Sequence, residues 1–155
     1  MNELPNRKRI RLPDYDYSKD NYYYVTICTQ NKRCLSGMGD HLTDFGMIAQ
    51  QCLCTIDRVF PFVRIDKYVI MPNHIHAIIV FGHEKEARMY ACPTLGTVIG
   101  NYKAAVTRAI HSLDPKNEVW QKRYYDHIIR NQRDYEAVWT YIDENPAKWE
   151  SDEYY

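Results

Sequence analysis

No run of this chain approaches the roughly 18 consecutive apolar residues that a membrane-spanning helix needs, so no membrane partner is expected. Residues 1–12 are polar and basic, which does not fit the apolar core of a secretory signal. Paired CxxC sites are missing as well. The five cysteines (Cys28, Cys34, Cys52, Cys54 and Cys92) are odd in number, and Cys52/Cys54 has no second pair to complete a zinc knuckle. That argues against a disulfide framework and for reduced thiols in a cytoplasmic protein. Net charge is lacking too: 20 bases meet 20 acids, which argues against strong non-specific binding to nucleic acid. There are no internal repeats and no low-complexity segments.

What remains is the profile of one globular domain, residues 1–155, with 45% hydrophobic and 26% charged residues. The charge is unevenly spread. Residues 142–155 hold five acids and one base, leaving a net +4 on the rest, and Arg7, Lys8, Arg9 and Arg11 cluster near the start. Such a cluster is either a solvated tail or a phosphate contact. Tyrosine is abundant, at 14. Most of these must pack in strands or core, and some could stack on bases.

The most apolar and β-branched stretch is residues 68–81, YVIMPNHIHAIIVF. It predicts buried strand on both sides of a Pro72-Asn73 turn. Side chains alternate in a strand, so His74 and His76 share a face about 6–7 Å apart, while Ile75, Ala77 and Ile79 face a core. Burying two imidazoles without partners costs free energy. The pair is therefore either hydrogen-bonded core or two ligands of one metal ion awaiting a third.

Residues 21–30 predict a first strand, Thr43 caps a helix running to about Val59, and residues 64–71 and 74–81 predict an antiparallel pair. Residues 95–113 predict a second helix, 119–129 a fourth strand or extended segment, and the last helix starts near Asn131 and ends or kinks at Pro146. Residues 82–94 read as a polar loop. The order β-α-β-β-α-β-α fits an α+β fold. In it, a ferredoxin-like antiparallel sheet carries helices on one face, with the C-terminal helix as an appendage.

On that last helix Tyr141 and Asn145 lie at i and i+4, on one side. An amide oxygen suits a hard divalent ion, so His74, His76 and Asn145 could form a three-ligand site for Mn²⁺ or Mg²⁺ with open positions. Tyr141 beside it could act as a nucleophile. By spacing alone, however, Tyr141 does not stand out among 14 tyrosines.

Met71-Pro72-Asn73-His74-Ile75-His76 resembles the His-hydrophobe-His motif of the HUH single-strand endonucleases. Trp120-Gln121, then residues 124–130 (YYDHIIR), then residues 141–146 (YIDENP) followed by Trp149, resemble one branch, the REP-associated tyrosine transposases. The resemblance extends to residues 14–17 (DYDY) and 24–28 (YVTIC), and so to nearly the whole chain, as a single domain. Ala77 departs from the glycine often seen after the second histidine.

The resemblance implies a metal-dependent endonuclease and strand transferase acting on single-stranded or hairpin DNA, the repetitive palindromic elements. Tyr141 is then the catalytic tyrosine, forming a 5′-phosphotyrosine link, and His74, His76 and Asn145 hold Mg²⁺ or Mn²⁺. It leaves monomer or homodimer open and places the protein in the cytoplasm, at the nucleoid. Arg7, Lys8, Arg9, Arg11, Lys103, Gln121, His127 and Arg130 are candidate DNA contacts. Trp120 and Trp149 are read as packing. Two alternatives stand: a catalytically weak, structure-specific hairpin binder, and a metal hydrolase using water. Ligand histidines must be neutral, so metal binding and cleavage are expected to weaken below about pH 6–6.5.

Overall fold

A computed structural model describes residues 21–82 and 93–154. The basic cluster Arg7, Lys8, Arg9 and Arg11, the 14–17 motif and most of the 82–94 loop, with Cys92, lie outside the described residues. Along the chain run β1 (Asn21–Cys28), β2 (Gly37–Met38), β3 (His41–Leu42), α1 (Asp44–Cys54) and α2 (Ile56–Val59). Then come β4 (Val63–Met71), β5 (His74–Phe81), α3 (Leu95–His111), β6 (Tyr125–Ile129), α4 (Gln132–Glu144) and a 3-10 turn (Asn145–Ser151). The main sheet has the order β4-β5-β1-β6, antiparallel throughout, as the ferredoxin-like topology requires. Among the described residues, no helix is long and apolar enough to cross a membrane.

Alternation along the strands sorts the sheet into two faces. Tyr23, Val25 and Ile27 of β1 and Ile75, Ala77, Ile79 and Phe81 of β5 join α1 and α3 in the larger core. The opposite face carries His74, His76, Ile78 and Val80, with Ile78 and Val80 packed against Val138 and Ile142 of α4. α1 and α3 thus share one face, and α4 covers the other. Lys67 of β4 pins α4 to the sheet edge. Its Nζ lies 2.7 Å from Asp143 Oδ1 and 3.9 Å from the centre of the Trp139 ring. A turn earlier, Tyr135 donates to Asp66 at 2.5 Å.

The expected helix over 43–59 is broken at Thr55, whose hydroxyl donates back to the carbonyls of Gln51 and Cys52. Such back-bonding lets β-branched residues interrupt a helix. Of the strand or extended segment expected over 119–129, only the second half is regular strand. Residues 119–124 are irregular, with a single bridge from Trp120 to Thr29, and regular pairing starts at Tyr125. Val119 and Tyr124 are buried in the larger core, so that segment is held by packing instead of a ladder. As expected, Trp120 packs, its ring centroid 5.7 Å from that of Phe45.

The Pro72-Asn73 turn is clamped from two sides. Leu35 N and Ser36 N both donate to the Pro72 carbonyl, and Thr29 N and Oγ1 donate to that of Asn73. Gly37, at φ +69°, closes the hairpin behind this clamp, where a Cβ would collide with the His41 carbonyl.

The cluster under α4 is small, so each member counts. Ile142 is fully buried, and Ile142→Ala is expected to lower unfolding free energy by about 2–5 kcal/mol, read by urea denaturation. A loss under about 1 kcal/mol would show that α4 is held by other contacts.

Candidate active site

His74 and His76 emerge side by side from β5, both fully buried, with ring centroids 4.5 Å apart. Their orientation follows from what their Nδ1 atoms meet. His74 Nδ1 lies 2.7 Å from Asn73 Oδ1. A carbonyl oxygen can only accept, so Nδ1 carries the proton and Nε2 is left as a bare lone pair. The Asn73 amide is itself oriented by donation from Nδ2 to the Tyr154 carbonyl at 2.6 Å. His76 Nδ1 lies 2.8 Å from Tyr24 Oη and 2.9 Å from Thr26 Oγ1. Both are hydroxyls, which can accept an Nδ1 proton and leave Nε2 free in the same way.

Those two Nε2 atoms are buried without hydrogen-bond partners, and so is Asn145 Oδ1. Orphaned buried acceptors are costly, and three of them gathered together call for an explanation. A divalent cation is the simplest one. Asn145 sits at the junction of α4 and the 3-10 turn, 2% exposed. The turn then delivers Asp152, whose side chain is 2% exposed and whose Oδ2 lies 3.9 Å from His74 Nε2. Ligand atoms of His74, His76 and Asp152 all fall within 4.8 Å of one another. Two imidazoles, a carboxylate and an amide oxygen form a donor set that fits a divalent ion, with nitrogen favouring Mn²⁺ over Mg²⁺.

Tyr141 stands at the open side of this cluster. It is 41% exposed, with its ring centroid 5.3 Å from that of His76. Partial burial raises the pKa of its phenol, as do the nearby carboxylates of Asp152 and Glu153, while Asn145 opposes them. The site therefore disfavours phenolate until positive charge arrives. Tyr154 lies over the histidines, its ring centroid 4.6 Å from that of His74 and 5.8 Å from that of His76.

Burial drives both histidines toward the neutral form. His74 is lowered to about 4 against a partial counter-effect of Asp152 and Asn145, and His76 is lowered to about 2, with His74 adding to the shift. These shifts move the expected weakening of metal binding from about pH 6–6.5 to lower pH. Protonation of the two histidines is displaced to about pH 4 and below, because a buried imidazolium is poorly solvated.

The candidates thus divide by place. The fold brings His74, His76, Asn145 and Tyr141 together. His127 lines the neighbouring cavity with Tyr141, its Nε2 within 2.9–3.0 Å of both Asp134 oxygens. Lys103 donates to the carbonyls of Gln121 and Arg123, bracing the irregular segment against α3. With Gln121 it lines a separate cleft of about 540 Å³. Arg130 borders a third cavity, beside Tyr22 and Tyr135.

Sequence reasoning missed Asp152, which entered only as one of the five acids of residues 142–155. It also missed Asn73, although its place directly before His74 was a usable signal. Tyr24 and Thr26 were readable in hindsight: their i, i+2 spacing puts both on one face of β1, opposite Ile78 and His76.

No family model matches the chain. A protein of Haemophilus influenzae, described as uncharacterized, is 36% identical over 170 residues, covering 98% of this chain and 94% of the relative. The REP-associated tyrosine transposase of Escherichia coli (strain K12) is 25% identical over 132 residues, covering 85% of this chain and 70% of that protein. A solved structure of such a transposase bound to a REP hairpin superimposes with a TM-score of 0.62 at 22% identity, over 90% of this chain and 73% of the other. The chain is similar to the REP-associated tyrosine transposases in sequence and in fold. Its relationship is carried by sequence and by fold alike: the same α+β sheet recurs, and the chain spans most of the length of its transposase relatives.

Two neutral buried histidines make a pH prediction for the metal-free protein. The unfolded chain takes up protons near pH 6.5, but the folded chain refuses them until about pH 4 and about pH 2. Unfolding free energy should therefore fall as pH drops below 6.5, by about 1.4 kcal/mol per pH unit for each histidine within its own window. Denaturation in chelator from pH 7 to 5 should show a slope that flattens in the His74→Asn/His76→Asn variant. An unchanged slope would mean that the rings are not held neutral.

Proposed function

We propose that this chain is a metal-dependent single-stranded DNA endonuclease and strand transferase acting at DNA hairpins through a covalent 5′-phosphotyrosine intermediate. The observation that carries the reading is the meeting of three orphaned buried acceptors with a half-exposed tyrosine. In this reading His74 Nε2, His76 Nε2, Asn145 Oδ1 and Asp152 hold Mg²⁺ or Mn²⁺. The ion supplies positive charge that favours phenolate and offsets charge growing on the phosphate.

Tyr141 Oη gives up its proton and attacks the scissile phosphorus in line. The bond from phosphorus to the 3′ oxygen breaks, and that oxygen takes a proton to leave as a 3′-hydroxyl. The phosphodiester energy is kept in the tyrosine ester, so attack by a 3′-hydroxyl reverses the step and joins strands without a nucleotide cofactor. Asn73, Tyr24 and Thr26 contribute by fixing the histidine tautomers. A hairpin partner is supported by the related protein solved on a REP hairpin. The reading accommodates a monomer or homodimer, working at the nucleoid.

The test is a denaturing gel of the purified protein with labelled hairpin DNA from its own genome. A Mn²⁺-dependent protein–DNA band, absent in Tyr141→Phe while hairpin binding persists, is the expected result. Cleavage without the band would instead favour a water-using nuclease, and binding with neither would favour a hairpin-binding protein.

The positioning role of Asn73 has a separate readout. Asn73→Ala should weaken Mn²⁺ binding by about 10–100-fold in calorimetry, the usual effect of removing a group that orients a ligand histidine. Unchanged Mn²⁺ affinity would remove Asn73 from the site's design.

A further inference from the structure

Beside Tyr141 opens a cavity of about 590 Å³, within the size range of small-molecule sites. Its lining includes Tyr24, Tyr125, His127, Val138, Tyr141, Glu153 and Tyr154. Among the described residues no lysine or arginine lines it, and the Glu153 carboxylate would repel phosphate. The cavity therefore suits a flat, uncharged group. Tyr125 is 45% exposed although it projects from a sheet strand. It sits on β6, the edge strand, with its ring centroid 6.1 Å from that of Tyr24, and Tyr24 in turn meets Tyr141 edge-on at 6.3 Å.

One polar edge faces the same space. His127 Nε2 is committed to both oxygens of Asp134, so Nδ1 is the ring atom left over for a ligand. A flat apolar-walled pocket with one imidazole edge matches a nucleobase better than a sugar-phosphate. Tyr24 belongs to both this pocket and the hydrogen-bond set of His76, so the two sites share a wall.

We propose that this cavity receives one unpaired nucleobase of the DNA strand, stacked on Tyr125 with its polar edge toward His127, within a nucleotide of the phosphate that Tyr141 attacks. The proposal rests on the reading of Tyr141 as nucleophile for its place along the strand. Seating the base there would fix the phosphate's register relative to Tyr141, making Tyr125 and His127 specificity-determining residues.

The experiment uses the full chain with Tyr141→Phe and a hairpin bearing a single-stranded arm. The fluorescent base 2-aminopurine is placed at each arm position in turn, and the parent protein is tested for the covalent adduct on the same DNA. Expected is quenching at one position next to the cleavage site, lost in a further Tyr125→Ala change and retained in Tyr125→Trp. Affinity for the armed hairpin should fall about 5–150-fold in Tyr125→Ala, the range of one lost base–aromatic stack. Affinity for an armless hairpin should not change, which also checks folding.

Quenching indifferent to Tyr125→Ala, or equal losses on armed and armless hairpins, would overturn the subsite. Adduct formation without Tyr125-dependent quenching sinks the subsite and leaves the catalytic reading standing. Tyr125-dependent quenching without an adduct does the reverse: it supports the base pocket and sinks Tyr141 as nucleophile.

Discussion

The structure turns on two imidazoles kept neutral and pointed. Their bare Nε2 atoms face one small buried volume because Asn73 and the Tyr24–Thr26 hydroxyls occupy the other nitrogens. Orientation of this kind cannot come from the histidines alone, since a free imidazole exchanges tautomers readily. It needs a turn held rigidly enough for Asn73 to stay in register. The clamp of Leu35, Ser36 and Thr29 on Pro72 and Asn73 supplies that rigidity, so a distant hairpin serves the site by fixing backbone carbonyls.

The two faces of the sheet divide labour. The larger core, shared with α1 and α3, carries most of the apolar burial and sets the strand register. The other face keeps only a small apolar cluster beneath α4 and gives the rest to polar and aromatic side chains. Stability and chemistry are thereby separated across one sheet thickness. The helix bearing Tyr141 is the less deeply anchored layer, and Lys67, Asp66 and Tyr135 compensate with polar ties along its flank.

Charge placement is consistent with this arrangement. Burial keeps the histidines uncharged, while Asp152 and Glu153 push Tyr141 toward its protonated state. A site so built has excess acceptor character and a reluctant phenol. In the proposed reading, one divalent cation would relieve both at once and so tie activation of Tyr141 to occupancy of the cluster.

Much of this was legible in the chain. Alternation in residues 74–81 placed His74 and His76 on one face and Ile75, Ala77 and Ile79 on the other, because a two-residue period is a local property of extended backbone. The i, i+4 spacing of Tyr141 and Asn145 survived for the same reason, as a property of helical backbone. Local signals failed where long-range packing decided the outcome. Val119–Tyr124, legible as strand or extended segment, is irregular and held by burial. Asp152 joined the histidines only because the 3-10 turn after α4 folds back under them. The shift of His74 and His76 to strongly lowered pKa values likewise belongs to tertiary structure, since no sequence spacing encodes the loss of water around a ring. Residue identity and local period determined which side chains could share a face. Only the closing of α4 and its following turn over that face decided which of them meet, and how much charge the site can bear.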